Sequence, residues 1–167
     1  VLDVLGLPIA KSIHAGVVLA LDISPDGVWV VSGSNDGIIR VWEAGTGEEV
    51  AHMTHNGPVI AVAFSSDGRW VVSGSDDGTA RVWEAGTGVE VARITHDSLV
   101  SAVAFSPNGD SVVSGSWDGT ARVWDAATGI EISRMTHTGW VSAVAFSPDG
   151  HWVVSGSRDT TARVWEA

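Results

Sequence analysis

The sequence of 167 residues contains no cysteine. Disulfide and thiolate chemistry are therefore excluded, and the composition points to an intracellular, cytoplasmic setting. Lysine occurs once, at Lys11. No Walker-type lysine follows any of the glycines, so nucleotide binding by a glycine-rich loop is unsupported and no cofactor is expected. Positive charge is scarce, with nine basic against twenty acidic residues and a formal net charge of −11. Such a field repels phosphate backbones and anionic lipid, which argues against nucleic acid and membrane surfaces as partners. No window approaches the run of about 20 apolar residues that a membrane helix needs, and no segment has helical periodicity. The opening VLDVLGLPIA lacks a basic flank and an obvious cleavage site, so no secretory signal is expected. It also lacks a starting Met, as a trimmed chain or a piece of a longer polypeptide would.

What the sequence has is repetition. A Trp recurs at Trp42, Trp83, Trp124 and Trp165, and a His at His14, His55, His96 and His137, both with a constant step of 41. A unit of this length cannot bury its apolar face alone and must stack on its neighbours. The copies run over about 14–54, 55–95, 96–136 and 137–167.

Each copy reads as four short strands. In the third, Val100–Phe105 ends at Ser106-Pro107-Asn108-Gly109, which suits a type I turn closed by a left-handed glycine. Pro25-Asp26-Gly27, Ser66-Asp67-Gly68 and Pro148-Asp149-Gly150 stand at the same point in the other copies. A second strand over Ser111–Ser116 meets the hairpin signal Asp118-Gly119. A third, Thr120–Trp124, leads through Ala127-Thr128-Gly129 into a fourth at Ile130–Met135. Four strands per copy is the pattern of a β-propeller blade.

These features resemble the WD-repeat β-propeller family. The resemblance rests on Trp42-Glu43, Trp83-Glu84, Trp124-Asp125 and Trp165-Glu166, on the SPDG-type turns, and on the SGSxDG segments at 32–37, 73–78 and 114–119. Two departures stand out. The family's Gly-His is Thr-His in three copies and Ile13-His14 in the first, and Thr160 replaces the hairpin glycine of the fourth, predicting a strained or different turn there. The copies resemble each other more than family members usually do, as recent amplification of one blade or engineering would produce. The first has drifted furthest, with Asp22 where the others have Ala63, Ala104 and Ala145.

The resemblance implies an all-β propeller of four four-stranded blades, the whole chain forming one half-ring domain. Residues 1–13 align with the tail that supplies a fourth strand, so Leu7–Ile13 is expected to be an orphan outer strand. Residues 143–167 then form an incomplete, three-stranded blade. Two open strand edges favour pairing with each other. Family rings hold seven or eight blades, so four blades span about half a circle. Two copies closing head to tail predict an eight-bladed homodimer; a closed four-bladed ring would need wedges twice as wide.

His, Ser, Asp and Trp recur at fixed spacing in every copy: His14, Ser32, Asp36, Trp42; His55, Ser73, Asp77, Trp83; His96, Ser114, Asp118, Trp124; and His137, Ser155, Asp159, Trp165. Ser, His and Asp together raise the prospect of a hydrolase. Fourfold repetition inside the blades argues for structure, and the resemblance implies a buried hydrogen-bond chain running Asp–His–Ser–Trp. One His per copy, with His52 and His151 at unrelated positions, matches no metal site.

For partner binding the resemblance points to the ring's narrow face. The residues before the turn Asp are Asn35, Asp76, Trp117 and Arg158; the inner strands start at Val17, Pro58, Leu99 and Trp140, followed two residues on by Leu19, Ile60, Ser101 and Ser142. These vary while the framework stays fixed, and Trp117 and Trp140 are typical anchors. Trp29, Trp70 and Trp152 share a register that Ser111 interrupts, and read as packing or rim residues. Arg40, Arg81, Arg122 and Arg163 read as stacking on the nearby Trp or pairing with a carboxylate. The expectation is a non-enzymatic scaffold for an unidentified protein or peptide that also pairs with itself. The alternatives are a carbohydrate- or small-ligand-binding propeller and an amplified or engineered fragment without a function of its own.

Overall fold

The computed structural model describes residues 9–167. Fifteen strands and no helix make up this part of the chain. The first sheet holds β1 (Val18–Ile23), β2 (Trp29–Ser34), β3 (Ile38–Glu43) and β4 (Glu49–Thr54). The second holds β5 (Val59–Phe64), β6 (Trp70–Ser75), β7 (Thr79–Glu84) and β8 (Glu90–Thr95). The third holds β9 (Val100–Phe105), β10 (Ser111–Ser116), β11 (Thr120–Asp125) and β12 (Glu131–Thr136). The last has only β13 (Val141–Phe146), β14 (Trp152–Ser157) and β15 (Ala162–Glu166). Each sheet is an antiparallel meander in chain order.

Turn chemistry sets these boundaries. Gly27, Gly68, Gly109 and Gly150 close the first hairpins with φ between 70° and 79°, the left-handed conformation glycine adopts at least cost. Thr160 takes φ 70°, and its N–H still reaches the Ser157 carbonyl at 3.2 Å. The fourth hairpin therefore keeps the turn type of its siblings and carries the strain in one β-branched residue. Leu19, Ile60, Ser101 and Ser142 fall where the inner-strand register slips, each an extra residue left out of the ladder. A bulge frees the residue it inserts from pairing, which accounts for their variability. Ser101 is nonetheless used, its hydroxyl donating to the Val141 carbonyl of the next blade.

Successive sheets pack face to face, β1 on β5, β5 on β9 and β9 on β13. Val31, Ile39, Val41 and Met53 of the first sheet meet Val59, Val71 and Trp83 of the second, and equivalent cores follow at the other two junctions. A glycine lies at each contact. A Cβ on Gly33 would stand 2.6 Å from Val59 Cγ1, on Gly74 2.7 Å from Val100 Cγ1, and on Gly115 2.7 Å from Val141 Cγ1. Valine knobs thus seat in sockets that only glycine leaves open.

The four sheets form an open arc. At its far end, Gly156 has, among the described residues, nothing but Ala143 nearby, at 3.8 Å. Val154 and Val164 are 43% and 66% exposed there, whereas their counterparts Val72 and Val82 are 0% and 1%. At the near end Val18 and Leu21, in the registers of Val59 and Val62, are 41% and 65% exposed. Of the expected outer strand, Leu7 and Pro8 lie outside the described residues, and 9–13 run without strand pairing. Lys11 nevertheless sits as an outer strand would: a Cβ on Gly47 would meet its carbonyl oxygen at 3.0 Å, as Gly88 meets that of His52 and Gly129 that of Arg93.

Candidate functional site

The repeated polar residues come together inside each blade. In the second sheet the Trp83 indole N–H donates to Ser73 Oγ at 2.8 Å, Ser73 Oγ lies 2.7 Å from His55 Nε2, and His55 Nδ1 lies 2.9 Å from Asp77 Oδ2. The fourth blade repeats this with Trp165, Ser155, His137 and Asp159 at 2.7, 2.7 and 2.9 Å. Since the indole can only donate and the carboxylate only accept, the serine hydroxyl donates to Nε2 and the imidazole carries its proton on Nδ1.

Two links of the expected chains are not made. In the third blade His96 meets Ser114 at 2.7 Å and Asp118 at 3.0 Å, but the buried Trp124 N–H has no partner. In the first, His14 meets Ser32 at 2.7 Å and Trp42 donates to Ser32 at 3.3 Å, yet Asp36 stands 3.6 Å from Nδ1, which is left unpaired. The cause in the first blade is Ile38. Its counterpart Thr79 donates a hydroxyl to Asp77 at 2.6 Å and lies 3.1 Å from His55 Nδ1, which draws carboxylate and imidazole together.

The threonines and arginines belong to the network as well. Arg81 donates Nε to Thr79 at 2.9 Å and a terminal nitrogen to Asp77 at 2.9 Å, and its guanidinium lies 5.7 Å from the Trp83 ring. Thr120 with Arg122 and Thr161 with Arg163 repeat this, the arginines reaching Asp118 and Asp159 at 3.1 and 3.2 Å. Both expected arginine roles are met at once by Arg81 and by Arg163, whose guanidinium lies 5.8 Å from the Trp165 ring. In the first blade Ile38 offers no hydroxyl, Arg40 Nε is unpaired, and the guanidinium turns to Glu49.

Electrostatics follow from this geometry. Burial pushes the His55 and His96 imidazoles below their ordinary value, against the pull of the facing carboxylates, and favours the neutral ring. Burial alone would raise the Asp118 carboxyl, but hydroxyl and amide bonds from Thr120 and the facing His96 hold it down at about 2. Asp77 is lowered in the same way by Thr79, Asn56 and His55 against the effect of burial. Ser73, Ser114 and Ser155 are at most 2% exposed. Among the described residues no group of three or more His, Asp or Glu could hold a metal, and no helix is long and apolar enough to cross a membrane.

The variable positions gather at the opposite ends of the strands from the SPDG-type turns. Backbone bonds pair the two sets: Asn35 N–H to the Val17 carbonyl at 2.8 Å, Asp76 to Pro58 at 2.9 Å, Trp117 to Leu99 at 2.9 Å and Arg158 to Trp140 at 2.8 Å. Between the last two blades the Trp117 and Trp140 rings stack with centroids 4.1 Å apart and planes 3° from parallel, and the Arg158 guanidinium covers Trp140 at 4.8 Å. The indoles form a ladder across a blade junction, 37% and 40% exposed. Trp29 and Trp70 pack partly against the cores, whereas Trp152 is half-exposed on the open end. Asp22 proves to be a tie between blades, accepting the Phe64 N–H at 2.7 Å.

Comparison with known proteins places this geometry. The crystal structure of the computationally designed Ika4 protein superposes with a TM-score of 0.87 at 38% identity, over 96% of this chain and 98% of that one. The computationally designed Ika8 protein superposes with a TM-score of 0.85 at 38% identity, over 95% of this chain but 49% of that one. Among curated proteins, ribosome biogenesis protein ERB1 of Saccharomyces cerevisiae is 54% identical over 37 residues, 22% of this chain and 5% of that protein. The same protein of Eremothecium gossypii is 51% identical over 37 residues, 22% of this chain and 4% of that protein. The chain thus spans about a twentieth of the curated relatives it matches. The family model described as WD domain, G-beta repeat matches residues 9–43, 47–84, 88–125 and 130–166. With four matches in register over most of its length, the chain belongs to the WD40 repeat family.

Proposed function

We propose that this chain is a non-enzymatic, cytoplasmic WD-repeat scaffold that binds a protein or peptide on the face bearing Asn35, Asp76, Trp117 and Arg158 with Pro58, Leu99 and Trp140. The observation that carries the reading is a contrast within one chain. The buried His, Ser, Asp and Trp sets hold a constant frame, while the paired loop positions differ in every blade and include a half-exposed Trp–Trp–Arg ladder. Recovery of partners on wild-type protein and on the Trp117→Ala/Trp140→Ala double variant tests it. Loss of a specific partner from the double variant supports the reading, and identical recovery rejects it.

The scaffold completes itself with a second copy into an eight-bladed ring. The far face of the arc carries an empty socket at Gly156 and exposed Val154 and Val164; the near face carries the matching knobs Val18 and Leu21. Among the described residues the strand edge of β15 is free, and Lys11 lies in the register of the outer strands that cover β3, β7 and β11. Residues 9–13 of each copy complete the other's last blade. Superposition on about half of a longer designed chain fits a wedge too narrow for four blades to close alone. Mass in solution tests this, against 17.4 kDa for one chain.

A second reading is favoured by the likeness of the copies to each other and to two designed proteins. In it the chain is an amplified or engineered propeller fragment with no function of its own, and no partner is recovered.

A further inference from the structure

On the end of the arc opposite the tryptophan ladder, cavities recur at one register. They lie at the three blade junctions and measure about 330, 370 and 350 Å³. The first sets Trp29, Val41 and Val50 of one blade against Arg69, Glu84 and Thr87 of the next. The second, 41 residues on, sets Trp70, Val82 and Val91 against Asp110 and Asp125. The third keeps Val123 and Ile132 but has Ser111 where the others have an indole. The first two are mainly apolar with a few fixed polar groups, which at this size suits small ligands.

The polar groups are held in place. Glu84 Oε2 accepts the Thr87 hydroxyl at 2.7 Å, and Glu84 Oε1 has the Arg69 guanidinium at 4.0 Å. In the second cavity Asp125 Oδ1 accepts the Thr128 hydroxyl at 2.7 Å. Each site thus pairs an indole, kept in position by the core beneath it, with an oriented carboxylate. A charged ligand does not suit both: the first cavity balances Arg69 against Glu84, whereas the second holds two carboxylates and has the Arg69 guanidinium 4.5 Å over one face of its Trp70 ring. What suits both is an uncharged ring with an apolar face and a hydroxyl edge. The face stacks on the indole, and hydroxyl protons are donated to the carboxylate, a strong class of hydrogen bond.

We propose that the inter-blade cavities walled by Trp29 and Trp70 each bind a neutral pyranose sugar, and that the cavity at Ser111 is blank for want of the stacking surface. Two sites on one rigid arc would bind a displayed glycan with avidity that neither has alone. The proposal is independent of the peptide-binding face.

The test is titration of ¹⁵N-labelled protein with a panel of methyl pyranosides of glucose, galactose, mannose and N-acetylglucosamine, read at the indole N–H signals and at the backbone amides of Gly86, Thr87, Ala126 and Ala127, which line the two cavities. The signals of Trp29 and Trp70 are expected to move. Trp29→Ala and Trp70→Ala are each expected to abolish the backbone-amide response of one cavity, a loss of about tenfold or more in affinity at that site. Ser111→Trp adds an indole without removing a packed side chain, so it reports even where an alanine variant folds poorly; it should create a third responding signal. Trp117→Ala/Trp140→Ala should leave every sugar response in place, which separates this proposal from the peptide-binding one. Indoles that ignore every pyranoside, responses that survive both alanine variants, or a folded but silent Ser111→Trp protein would each overturn it.

Discussion

Val164→Asp isolates the assembly from the fold. In a single chain Val164 lies on the open face of the last blade, 66% exposed, so a carboxylate there stays in water. Such surface changes shift stability by no more than about 0.5 kcal/mol. In a ring of two copies the same position becomes the equivalent of Val41, Val82 and Val123, which are 1%, 1% and 2% exposed. A carboxylate buried there has no cationic partner, and an unpaired buried charge costs about 3 kcal/mol or more. The substitution occurs at both junctions of the ring, so association weakens by about 6 kcal/mol, roughly 10⁴-fold. Light scattering coupled to gel filtration should find the wild type at about twice 17.4 kDa and the variant at 17.4 kDa, with melting temperatures compared under conditions where both are single chains. Val82→Asp, at the same register inside the arc, should unfold the protein outright. A Val164→Asp protein that dimerises like the wild type, or a wild type that never dimerises, would refute the reasoning.

Thr160→Gly acts in the opposite direction. It relieves a β-branched residue at φ 70° and should stabilise the fold by about 1 kcal/mol, a rise in Tm of about 2–4 °C, read by thermal melts. It should also tighten the dimer, because the equivalent glycines 37, 78 and 119 leave room for the histidine carbonyl of the next blade, where a Cβ would stand 2.9–3.1 Å away. Ile38→Thr should restore the missing hydroxyl of the first blade and stabilise by about 1 kcal/mol, provided it satisfies the unpaired His14 Nδ1 and Arg40 Nε. Stability should fall in two acid steps. The buried His55 and His96 resist protonation, so the unfolded chain takes up more protons as pH drops below 6.5 and stability declines from there. The lowered Asp77 and Asp118 add a further loss below 3.8, running down to about 2 for Asp118, and melts across pH should resolve both.

The blade plan was readable because it is written in residues whose local preferences act alone. Asp or Asn before Gly fixes each hairpin, and the 41-residue step carries the His, Ser, Asp and Trp sets with it. The threonines at 79, 120 and 161 were equally in register, and Ile38 was a visible break in that series, yet their link to His, Asp and Arg needs the strands side by side. Position alone does not reveal that Trp124 N–H goes unpaired, since every residue of its set is present. The stacking of Trp117 on Trp140 joins loops of different blades, and Asp22 reaches Phe64 across a junction. Contacts between blades depend on how the wedges sit, and only three dimensions show that.

The glycines at those junctions test whether wedge geometry, rather than the hydrogen-bond sets, holds the arc in shape. A methyl at Gly74 meets Val100 Cγ1 at 2.7 Å and the Val100 carbonyl oxygen at 3.1 Å. Rotating the valine removes the first clash but not the second, so the second and third blades must separate. Overpacking of this kind costs about 1–3 kcal/mol, and Gly74→Ala should lower Tm by about 2–12 °C. Gly156→Ala is the matched control, since among the described residues its methyl finds nothing closer than Ala143 at 3.8 Å. That variant should melt like the wild type as a single chain and lose affinity only for a second copy. If Gly74→Ala melts normally, the sockets do not set the wedge. If Gly156→Ala dimerises unchanged, the empty socket at the end of the arc is not where the next copy seats.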